Sequence, residues 1–128
     1  MEKKIVSTAA ILGMSAIILG AFGAHALKEK LNIQQLSTFE TGVRYQMYHA
    51  LFLLFIGTTQ AVSQKIKGRI FYLTVLGVIL FSGSIYLLAM KDLLGFDFTL
   101  IGIITPIGGL FLIATWAVLF TSFFKKEL

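Results

Sequence analysis

The stretch from Ile5 to Ala24 reads IVSTAAILGMSAIILGAFGA and carries no charged side chain. At about 1.5 Å of rise per residue, a helix of this length reaches across the roughly 30 Å hydrocarbon core of a bilayer. Its apolar residues do not alternate with polar ones, so it lacks the pattern of a spanning β-strand, which is about ten residues long and strictly alternating. Working outward from it, three further runs meet the same standard: Tyr45 to Val62, Ile70 to Met90 and Leu100 to Phe124. The chain is therefore expected to be all-α and polytopic. Residues 1–128 make a single integral membrane domain, a four-transmembrane-helix bundle with spans near 5–24, 45–62, 70–90 and 100–124. These spans leave no room for a soluble domain.

Composition agrees. Hydrophobic residues make up 57% of the chain and charged ones 13%, with a mean hydropathy of +0.88, too apolar for a soluble domain of this length. There is no cysteine, which excludes disulfides, thiolate catalysis and cysteine metal sites. The net charge of +5 does not point to nucleic acid, because the basic residues sit at the ends of the spans, where lipid headgroups attract them. One side of the membrane would carry Lys3, Lys4, Lys65, Lys67, Arg69, Lys125 and Lys126, the other Lys28, Lys30, Arg44 and Lys91. That bias predicts a multi-pass protein of the inner or plasma membrane with both termini cytoplasmic. Ala24-His25-Ala26 has the form of a signal-peptidase site, but the apolar run before it is longer than the 7 to 15 residues usual for a signal peptide.

Within the first span, Ala9, Gly13, Ala16, Gly20 and Gly23 recur every three or four residues and share one helix face. Such a stripe lets a second helix approach closely, either from the same chain, the favoured reading, or from another copy. The connection from Ala26 to Arg44 places Leu27, Leu31, Leu36 and Phe39 among charged and amide residues, the pattern of an interfacial amphipathic segment. Asn32 with Gln35 has the spacing to cap a helix beginning at Ile33, and Ser37 with Glu40 repeats that spacing. In the fourth span, Pro106 lacks the N–H that a helix needs, so a kink or a broken first turn is expected there.

Polar residues gather toward one end of the expected bundle. His25 closes the first span and His49 stands about one turn into the second, with Glu40, Arg44, Gln46, Tyr48, Ser84, Tyr86, Lys91, Asp92 and Thr105 available to join them. Glu40 and Arg44 are four residues apart and positioned to pair. Ionisable groups at membrane depth are costly and commonly functional, so the candidate polar site near the outer interface comprises His25, Glu40, Arg44, Gln46, His49, Ser84, Tyr86 and Thr105. The plain alternative is structural: His25 bonding the last carbonyls of its helix, and His49 acting as a neutral bond between helices. Two histidines on different helices could ligate haem from both sides, yet no haem motif accompanies them. A zinc site would need further ligands, for which Glu40 and Asp92 have no characteristic spacing. No phosphate loop or nucleophile motif is present, so the residues assign no catalytic group and name no cofactor.

Four strings, LGAFGAHALK at 19–28, FETGVRYQMYHAL at 39–51, FSGSIYLL at 81–88 and TPIGG at 105–109, follow one another along nearly the whole chain. In this order they resemble the YgdD/YwdK-like family of small bacterial inner-membrane proteins. That pattern often carries a second proline ahead of the TP pair, where this chain has Ile103 and Ile104. The resemblance implies a four-helix membrane protein without an assigned biochemical role, and it supplies no catalytic residue.

The residues favour a non-enzymatic structural or interaction component of the membrane, whose partners are the lipid bilayer and a second copy or another membrane protein. Two alternatives accompany it: a small carrier or channel subunit working as an oligomer, and a lipid- or cofactor-binding enzyme using His25 and His49.

Overall fold

A computed structural model describes residues 1–95 and 99–124, and every regular element among them is helical. The elements are α1 (Glu2–His25), α2 (Ile33–Thr58), α3 (Gln64–Val78), a π-helical segment (Ile79–Gly83), α4 (Ser84–Ala89), the short α5 (Lys91–Leu94) and α6 (Thr99–Phe124). Lys125 and Lys126, counted above among the cytoplasmic cations, lie outside the described residues.

Among the described residues, three helical stretches are long and apolar enough to cross a membrane: Glu2–His25, Gln64–Ala89 and Thr99–Phe124. Helix α2 matches α6 in length at 26 residues, but Arg44, Gln46 and His49 reduce its apolar character. Its boundaries also differ from the run read in the sequence. It starts at Ile33, twelve residues before Tyr45, because Asn32 and Gln35 form the expected capping box: Gln35 N–H donates to Asn32 Oδ1 at 2.7 Å and Asn32 N–H to Gln35 Oε1 at 3.0 Å. Ser37 and Glu40 consequently fall inside the helix, where that spacing caps nothing. At the other end α2 stops at Thr58, and Ser63 caps α3 by accepting from Ile66 N–H at 3.3 Å.

The small-residue stripe of α1 lies along α2. Ala9, Ala16 and Gly23 are buried, and a Cβ placed on Gly13, Gly20 or Gly23 would meet Ala50, Val43 or Phe39 respectively. One apolar cluster joins Ile5 and Ala9 to Phe52, Leu53 and Ile56 of α2 and Ile70 and Phe71 of α3, with Val118 and Leu119 of α6 packed against it. A second contains Leu27, Leu31, Phe39 and Ala89, with Leu36 and Tyr86 at its edge. The connection expected to lie on the membrane surface therefore turns its apolar side chains inward, since α4 and the last turns of α1 offer them a protein partner.

Helix α6 is continuous from Thr99 to Phe124 with Pro106 inside it. Opposite it lies the π-helical segment. There Gly108 sits so close that an added Cβ would lie 2.3 Å from Phe81 N and 2.6 Å from Leu80 C. Two backbones meet at this crossing, and only a residue without a side chain allows it.

Candidate functional site

Five of the eight polar residues predicted to converge, Gln46, His49, Ser84, Tyr86 and Thr105, form separate bonds between helices. Gln46 is the centre of the largest group. Its Nε2 donates to Leu12 O at 2.9 Å and to Ser15 Oγ at 2.7 Å on α1, while its Oε1 accepts from Tyr86 O–H of α4 at 2.6 Å. Beside it, Ser82 Oγ donates to Gly42 O at 2.7 Å, tying the π segment to α2. Gly42 makes room for this contact, because a Cβ there would stand 2.6 Å from the Tyr86 ring. Ser84 and Thr105 bond each other between α4 and α6, and Ser84 Oγ also reaches Phe81 O at 3.0 Å.

His49 is buried on α2, and its two partners determine its tautomer. Tyr45 O, 2.7 Å from Nδ1, can only accept, so Nδ1 carries the proton. Trp116 Nε1–H of α6 donates to Nε2 at 3.1 Å, so Nε2 offers its lone pair. Both nitrogens are occupied in one neutral form, and a proton added at Nε2 would set two donors against each other. This is the structural role weighed for His49 from sequence.

His25, Glu40 and Arg44 are exposed and take no part in these bonds. Arg44 Nη2 donates to Thr41 Oγ1 at 3.2 Å and does not pair with Glu40. Nor do the two histidines share a depth. Gly13 of α1 packs against Ala50, next to His49, so His25 lies twelve residues farther along α1, about 18 Å at helical rise. The early start of α2 explains the difference, for it puts His49 more than four turns into its helix. Among the described residues no group of three or more His, Asp or Glu is placed to hold a metal. Asp92 instead accepts from Gln35 Nε2 at 2.8 Å.

Several contributors were not singled out in the sequence. Thr74 and Thr115 bond at 2.9 Å in the α3–α6 interface, and Thr115 Oγ1 donates to Ile70 O at 3.2 Å. At the end where α1 and α3 begin, Lys67 is 2% exposed and pairs with Glu2 at 3.0 Å. Glu2 precedes the apolar run that starts at Ile5; hydrogen bonds from Gln64 and then Lys67 hold its carboxyl down to about 2. The available sequence signals were the lone tryptophan, whose N–H needs a partner in an apolar span, and hydroxyls at membrane depth.

Residues 19–109 match the family described as "Protein of unknown function (DUF423)". The chain is 41% identical over 123 residues to the UPF0382 membrane protein SH2409 of Staphylococcus haemolyticus, an alignment covering 96% of this chain and 97% of that relative. It is 34% identical to the UPF0382 membrane protein YwdK of Bacillus subtilis, over 96% of this chain and 98% of the relative. The UPF0382 inner membrane protein YgdD of Escherichia coli is 37% identical, over 87% of this chain and 82% of its own length. No solved structure matches the chain. With a family match across most of its length and relatives aligned almost end to end, this integral membrane protein belongs to the DUF423 family.

Proposed function

We propose that the chain is a four-span bundle with cytoplasmic termini, acting as a non-enzymatic structural or interaction component of the membrane. The observation that carries this reading is the bonding of Gln46 and His49. These residues make α2 less apolar than the other long helices, yet each bonds to a neighbouring helix. Bonding of this kind lowers the cost of carrying Gln46 and His49 through lipid. The orientation draws support from the Glu2–Lys67 pair, which ties the start of α1 to the start of α3, so that Lys3, Lys4, Lys65 and Arg69 share an end.

The separation of the candidate acid–base groups supports a non-catalytic reading: His25 and Glu40 are exposed, while both nitrogens of His49 are occupied. The oligomer-forming carrier is the second reading, favoured by the π segment facing the proline-containing turn of α6.

Paired reporter fusions test the topology. A cytoplasm-active reporter should work at the C-terminus and between α2 and α3, and an export-active one between α1 and α2; the reverse pattern overturns it. In-cell crosslinking tests the role. Recovery of a second copy or another membrane protein is expected, and a lone monomer counts against an interaction component. Flux in proteoliposomes, abolished by Gly108→Leu, would favour the carrier.

A further inference from the structure

A groove of about 320 Å³ opens between α2, the π segment and α6. One wall is Tyr45 against Phe81, ring centroids 5.1 Å apart; the other is Trp116, 4.2 Å from Phe52 and bonded to His49. The floor includes Gly109, where an added Cβ would meet only the Phe81 ring at 3.6 Å. Tyr45 and Trp116 remain 39% and 48% exposed, so with α2 as a span the groove faces the lipid.

The lining restricts the occupant. No charged side chain contributes to it, which selects an uncharged molecule. Three aromatic faces favour a flat ring, for which stacking adds to burial. The polar atoms at the bottom are already used: His49 bonds Tyr45 O and Trp116, which leaves neither nitrogen for a ligand. The hydroxyl of Tyr45 is the free group, since no protein atom among the described residues accepts from it. Its natural complement is a carbonyl oxygen on the ring. The volume is at the lower end for small-molecule sites, enough for one ring system and the first part of a tail.

We propose that this groove binds the ring of a neutral, membrane-dissolved quinone, stacked between Tyr45, Phe81 and Trp116 with a ring carbonyl accepting from the Tyr45 hydroxyl. The site rests on α2 crossing the membrane, which the reporter fusions read independently of binding.

Trp116 is the only tryptophan in the chain, so its emission reports directly on the groove. Full-length protein in phosphatidylcholine nanodiscs is titrated with a decyl-substituted benzoquinone, and with decylbenzene as a control having the same tail but no carbonyl. Saturable quenching by the quinone is expected. Tyr45→Phe should weaken it about five- to tenfold, the loss of one hydrogen bond. Gly109→Leu fills the floor and should remove saturation while the melting temperature stays near that of the unsubstituted protein. Quenching that rises linearly and equally in all three proteins would mean partition into the bilayer alone and would overturn the site. Equal affinity for decylbenzene would overturn the carbonyl contact. Tyr45→Phe carries the test independently if Gly109→Leu fails to fold.

Discussion

Gly108 and Gly109 are neighbours in sequence, yet alanine should have opposite effects at the two positions. At Gly108 the new Cβ would stand 2.3 Å from Phe81 N, 2.6 Å from Leu80 C and 2.8 Å from Phe81 Cα, all backbone atoms that no rotamer change moves away. Restoring an ordinary contact of 3.4 Å requires α6 to retreat by about 1.1 Å from the π segment. That retreat stretches the Thr74–Thr115 bond of 2.9 Å and the Trp116–His49 bond of 3.1 Å past useful range. Interhelical bonds of this kind contribute about 0.6 kcal/mol each in a membrane. Overpacking adds about 1–3 kcal/mol, and the better helix propensity of alanine returns up to about 1 kcal/mol. The net expectation for Gly108→Ala is a loss of about 1–3 kcal/mol. At Gly109 the Cβ meets only the Phe81 ring at 3.6 Å, so Gly109→Ala should be neutral or stabilising by up to about 1 kcal/mol. Reversible unfolding in bicelles with added dodecyl sulfate, followed by helical circular dichroism, measures both. A Gly108→Ala protein as stable as the unsubstituted one, or a Gly109→Ala protein that loses as much, would refute the crossing.

Trp116→Phe keeps one aromatic ring but removes the pyrrole ring with its N–H, leaving His49 Nε2 unpaired, and should lower stability by at least about 0.6–1.7 kcal/mol in the same assay. Gln46→Leu deletes bonds to Leu12, Ser15 and Tyr86 at once and should cost more than Trp116→Phe, as compared by their unfolding midpoints. Glu2→Gln leaves the buried Lys67 ammonium without its counter-charge, so it should melt lower than the double variant Glu2→Gln with Lys67→Met. Glu2 has a folded value of about 2 against an ordinary 4.5, so its contribution is present above 4.5 and is lost as pH falls toward 2. Acid melts of the unsubstituted protein should therefore lose more than those of Glu2→Gln across that window.

Residue chemistry alone made the class legible. Long charge-free runs have few solutions other than helices in lipid, because an unpaired backbone group there is too costly. The stripe from Ala9 to Gly23 and the cap at Asn32 with Gln35 are local patterns of spacing, and both are found where spacing put them. What the residues could not convey was pairing across the chain. His25 and His49 looked like neighbours because each is near the end of an apolar run, but the helix containing His49 begins well before its run does. Pro106 looked like a break, and α6 continues through it while the irregular turn lies on the opposing helix at Ile79–Gly83. Trp116 with His49, Thr74 with Thr115, and Glu2 with Lys67 are each more than forty residues apart in sequence. Distances of that order depend on which helix faces meet, and helix faces meet by packing: Gly108 against the π backbone and Gly42 against Tyr86 set the approach that brings those polar atoms within bonding range.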